Sequence, residues 1–153
     1  MTAPQRLTTT FGVALLAASL LASGAAAQGR SPADTKVVES YRLSMPVLRK
    51  VLPALYAPGA QSCHRDSRDP RALSLAEMTQ MIERCAPMAQ ALKRASVPSR
   101  DAALVMASLY RTAEAVPIRR GDASAVDQGP LRDNALLLKE HDAEIKRLTG
   151  ENR

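Results

Sequence analysis

Beyond residue 30, apolar side chains recur at alternating steps of three and four, a spacing that lines them along one stripe of an α-helix and along no face of a strand. Val38, Tyr41, Met45, Leu48, Leu52 and Leu55 form the first stripe. Ser31-Pro32 opens it with a hydroxyl that can cap and a proline whose missing N–H costs nothing in the first turn. Leu75, Met78, Ile82, Cys85, Ala89 and Leu92 form the second, starting from Ser74, with Glu77 three residues later to complete a capping box. Ala102, Val105, Leu109, Thr112 and Val116 follow from Ser99, with Asp101 in the first turn, where a negative charge suits the helix dipole. Leu131, Asn134, Leu138, His141, Ile145 and Leu148 make the last stripe, opened by Pro130 and stopped by Gly150.

The expected fold is therefore all-α, a small bundle of about four helices over 33–56, 74–95, 99–116 and 130–149. Pro46, Pro53 and Pro87 each remove a helix hydrogen bond and crowd the preceding turn, so kinks are expected there, and the first helix is expected to bend or divide. Pro117 is expected to end the third helix. The stretch 57–73, with two prolines, a glycine and no sustained period, reads as a loop, and a linker holding Gly121, Asp122, Ser124 and Gly129 joins the third and fourth helices.

The beginning of the chain reads differently. Arg6 is the only charge before an apolar run from Phe11 to Ala22, and Ala25 and Ala27 place small side chains where a signal peptidase needs them. We read residues 1–27 as a secretory signal cleaved after Ala27, leaving one domain over 28–153. A membrane anchor would need a comparable apolar length, but the threonines and the small-residue tail favour cleavage, so no stable anchor is expected afterwards. No cysteine lies near the cleavage region to carry a lipid. The expected location is the periplasm or the exterior.

Cys63 and Cys85 are the only two cysteines, and an even count in an exported chain points to a disulfide between them. They are not a close redox pair, and Ser62-Cys63-His64 lacks the second cysteine of a haem-attachment motif. After cleavage the chain carries 20 Lys+Arg against 15 Asp+Glu, because only Arg6 of the 21 basic residues is removed. These charges interleave, as in Arg65-Asp66 and Arg68-Asp69, and with the one Phe, Phe11, in the leader, three Tyr and no Trp there is no basic, aromatic surface for nucleic acid. Two histidines without a ligand-spaced partner give no metal site, and no nucleophile elbow or phosphate loop occurs. No catalytic residues and no cofactor are therefore assigned, and the protein is not expected to be an enzyme.

Asn134 and His141 stand out as polar residues seven apart on an otherwise apolar stripe. Either they are buried polar groups that set helix register through hydrogen bonds, or they line a contact for a small ligand or a protein partner. An alternative function is haem binding through a first-helix methionine, such as Met45, and His141, in the manner of four-helix cytochromes. The other methionines, Met78, Met81, Met88 and Met106, read as core filling.

The stretches SVPSRDAALVMASLYRTAEAV and PLRDNALLLKEHDAEIKRL, with an Asn, an apolar triplet and Glu-Ile-x-x-Leu, resemble uncharacterised small secreted α-helical bacterial proteins. That resemblance implies the same all-α fold and no particular activity.

N-terminal sequencing of the exported product should begin at Gln28 or within a few residues of it. A mature chain that retains Phe11 would contradict the leader.

Overall fold

The structure, a computed structural model, describes residues 31–65, 69–115 and 129–151. The leader, its cleavage point after Ala27, Pro117 and most of the linker lie outside the described residues, as does the side chain of His64. Within them the chain is all-helical: α1 (Pro32–Ser40), α2 (Met45–Leu55), α3 (Ala60–Arg65), α4 (Leu75–Arg84), α5 (Ala86–Arg94), α6 (Ser99–Ala115), α7 (Pro130–Glu140) and α8 (Asp142–Thr149), with one 3-10 turn at Pro70–Ala72. Three of the four anticipated helices are thus each divided into two.

Two divisions fall just before prolines rather than at them. Pro46 occupies the first turn of α2, where its missing N–H is harmless, and the chain breaks over 41–44, with Tyr41 and Ser44 extended. Pro87 likewise sits in the first turn of α5, and the break is at the extended Cys85. Pro53 remains inside α2 on its exposed side, so water can reach the carbonyl it leaves without a donor. The third break, at His141, involves neither proline nor glycine. His141 N–H still donates to Leu137 and its carbonyl still accepts from Ile145. The bend instead lets α7 pack on α6 and α1 while α8 packs on α2.

The supposed loop 57–73 is partly helical. Gly59 at φ +85 turns the chain, and Ser62 Oγ donates to the Gly59 carbonyl at 2.6 Å as α3 begins. Asp69 Oδ1 accepts from Arg71 N–H at 3.0 Å and caps the 3-10 turn. These turns are held by local caps, and of the α3 side chains described only Ala60 is fully buried, which is why no apolar stripe announced them. Cys63 is bonded to Cys85 with a Cα–Cα distance of 5.8 Å, fastening α3 to the α4–α5 break. Closing a loop of this separation contributes about 3 kcal/mol on the chain-entropy account.

The centre of the fold is α6. Ala102, Ala103, Val105, Met106, Ala107, Ser108 and Thr112 are all buried, so this helix is enclosed on most sides, whereas its neighbours are buried on one. Its alanines and Ser108 let α4, α1 and α7 approach closely. Around it pack Val38, Leu48, Val51, Leu52, Met78, Ile82, Met88 and Leu92. After the break at Cys85 the second stripe changes phase, so Met88 is fully buried in α5 and Ala89 only partly. The buried hydroxyls are satisfied on backbone: Thr112 Oγ1 donates to the Ser108 carbonyl at 2.7 Å and Ser108 Oγ to that of Val38 at 3.4 Å. Ser31 and the Ser74–Glu77 capping box close the N-termini of α1 and α4 as their spacing indicates.

Candidate functional site

The connector 41–44 turns inward between α1 and α2, and its backbone needs partners that no helix ladder supplies. Asn134, in the second turn of α7 and 1% exposed, provides them. Its Oδ1 accepts from Leu43 N–H at 2.8 Å, and its Nδ2 donates to the Tyr41 carbonyl at 2.9 Å. Both ends of the amide are therefore engaged on one short stretch of backbone. Beside it, Arg42 pairs with Asp133 at the surface, where such a pair is worth little.

Holding the connector in place sets the Tyr41 side chain against a cup of about 310 Å³ between α2 and the α5–α6 turn. Val47 and Val51 of α2, Val97 and Pro98 of the turn and Leu104 of α6 form its apolar lining. Its polar groups are Tyr41, Lys50, Ser96 and Asp101. The positions follow from helix geometry: 47, 50 and 51 lie on one side of α2, and 101 and 104 on one side of α6. Partial burial pushes the Tyr41 phenol above its ordinary range, and the nearby Asp101 carboxylate pushes it further the same way. The hydroxyl therefore stays protonated and available as a donor. Lys50 and Asp101 have no ion-pair partner among the described residues, and the Tyr41 hydroxyl has no hydrogen-bond partner there.

Ser96 adds a backbone feature at the rim. Its φ of 55 is left-handed, in the position that closes a helix by sending Ser96 N–H to the Lys93 carbonyl and Val97 N–H to that of Leu92. Glycine is the usual residue there, and a serine costs roughly 1 kcal/mol. A hydroxyl is thus kept at the edge of the cup at some expense in stability.

His141 stands elsewhere. At the α7–α8 bend, with its side chain 32% exposed, its Nδ1 lies 4.0 Å from Glu144 Oε2. Glu144 is held chiefly by Arg49 of α2, which donates through Nε at 2.7 Å and through its Nη2 at 3.2 Å. Those bonds lower the Glu144 carboxyl from its ordinary range and raise the Arg49 guanidinium. The cluster braces α8 against α2. Asn134 and His141, seven residues apart in sequence, thus serve different neighbours: one the 41–44 connector, the other the α2–α8 contact. Met45 is buried at the start of α2.

Two further concavities lie elsewhere, one of about 560 Å³ along Pro32, Lys36, Glu39 and Pro130, the other of about 670 Å³ beside Tyr56, Gln61 and Arg147. Neither Asn134, His141 nor Met45 lines these or the cup. Among the described residues there is no group of three or more His, Cys, Asp or Glu side chains placed to hold a metal ion, and no helix is long and apolar enough to cross a membrane.

Reading the sequence by its stripes missed the polar members of the cup. Tyr41 was counted as an apolar stripe residue and Asp101 as a partner of the helix dipole, while Lys50 is an off-stripe cation like many others. Only the packing of α2 against α5 and α6 brings them together. No protein-family model, curated protein or solved structure matches the chain.

Replacing Asn134 with Leu orphans the buried Leu43 N–H and the Tyr41 carbonyl and should cost about 2 to 4 kcal/mol in a denaturant melt. His141→Leu, at a partly exposed site, should stay within about 0.5 kcal/mol of the parent. Equal losses at the two positions would contradict these assignments.

Proposed function

We propose that the protein is an exported, non-enzymatic binding module that works in the periplasm or outside the cell and holds a small ligand in the cup between α2 and the α5–α6 turn. Export is supported by the leader-like residues 1–27 and by the Cys63–Cys85 pair, since disulfides persist in oxidising compartments. The observation that carries the binding reading is the set of the Tyr41 hydroxyl, Lys50 and Asp101, which make no side-chain hydrogen bond or ion pair among the described residues and stand beside an apolar lining. Small-ligand sites combine apolar walls with polar groups that fix orientation, and the cup offers both. A binding role is favoured over a catalytic one because neither hydroxyl of the cup, Tyr41 or Ser96, is hydrogen-bonded to a base among the described residues.

The rigidity of the site supports the same reading. Tyr41 is fixed through the Asn134 clamp, and Val51 is 1% exposed and continuous with the core. A cup built on helices and a clamped connector needs little reordering to receive a ligand, which favours affinity. Asn134 then contributes to binding indirectly, as a positioning residue for Tyr41.

A small-molecule library screened against the ¹⁵N-labelled mature chain by amide chemical shift tests the proposal. Binders should perturb residues 47–51 and 96–104 together. A screen in which no compound moves these amides, or in which every binder maps to another surface, would contradict it.

A further inference from the structure

Resting on the cup as the binding site, we propose that its ligand is a small zwitterion with an apolar body, of the class of a free apolar α-amino acid. The charges of the cup are one cation and one anion from different helices, Lys50 of α2 and Asp101 of α6. They form no ion pair with each other or with any other described residue, so each retains its full capacity to pair. A ligand carrying only one charge would gain from one of these groups and be disfavoured by the other. A zwitterion gains from both: its carboxylate faces the Lys50 ammonium and its own ammonium faces the Asp101 carboxylate.

The remaining features restrict the rest of the molecule. Val47, Val51, Val97 and Leu104 offer only apolar contacts, so a hydrocarbon body is favoured where the ligand meets them; a polar group placed there would lose water without replacement. The protonated Tyr41 hydroxyl is a further donor for the carboxylate. At about 310 Å³ the cup lies at the small end of ligand sites, a volume that fits one amino-acid-sized molecule. Because Lys50 and Asp101 are exposed at the rim, the ligand's charged end stays near water and its apolar end points inward.

L-Leucine, 3-methylbutylamine and 4-methylpentanoate share one branched hydrocarbon body and differ in carrying both charges, only the positive one, or only the negative one. Titrated into the ¹⁵N-labelled mature chain, L-leucine should shift the amides of Val51, Val97 and Leu104 and bind at least about tenfold more tightly than either analogue. Asp101→Asn should weaken L-leucine and the amine and tighten the acid, which no longer meets a like charge, and Lys50→Gln should weaken L-leucine and the acid and tighten the amine for the same reason. Both positions are exposed, so an unchanged spectrum elsewhere confirms that the variants fold. If either analogue binds the cup as tightly as L-leucine, the zwitterion is overturned and the cup stands as a site for a singly charged ligand. If none of the three moves the cup amides, the zwitterion is overturned as well, and the library screen alone decides whether the cup binds anything.

Discussion

The amide of Asn134 is the contact on which the arrangement of α1, α2 and α7 depends. A chain that leaves one helix and enters another within four residues exposes backbone donors and acceptors, and here the connector is pressed against the core, with Leu43 buried. Asn134 satisfies a donor and an acceptor of that connector at once, from more than ninety residues away in sequence. An apolar side chain could fill the same space but would leave both groups orphaned. An aspartate would accept from Leu43 and face the Tyr41 carbonyl with like charge. An amide is the side chain that presents both functions in one plane.

The rest of the packing is consistent with that constraint. The enclosed helix α6, faced with alanines, lets α1 and α7 approach closely enough for a short side chain on one to reach the end of the other. The bend at His141 then releases the chain so that α8 can cover α2, where Arg49 and Glu144 secure it. α2 is also met by α5, and the disulfide fixes the beginning of α5 through Cys85. The cup is the space left where the clamped connector, α2 and the α5–α6 turn do not quite meet, and for that reason its lining mixes core valines with rim charges.

Local signals in the sequence carried well into the structure where the physics is local. Ser31, Ser74 and Glu77 cap the helices their spacing marks, because a cap reaches only three residues. The apolar stripes identified most of the core for the same reason. Helix breaks were legible only in part: a proline announces a break, but its tolerance in the first turn moves the break ahead of it, as at 41–44 and Cys85. The bend at His141 had no local signal, since it follows from two parts of one helix packing on different neighbours. Asn134 was visible as a polar residue on an apolar stripe, yet its partners were not, being set by tertiary contact. Lys50 and Asp101 were invisible as a pair because each is an ordinary surface charge on its own helix.

Native-state hydrogen exchange at the Leu43 amide tests the central claim most directly, because that N–H lies outside every helix and has Asn134 Oδ1 as its acceptor. If the clamp organises the fold, Leu43 should exchange only through openings as costly as those that expose the buried amides of α6, such as Val105. Exchange at Leu43 as fast as that of an exposed connector would show that the Asn134 bond opens freely, and that the α1–α2–α7 arrangement does not rest on it.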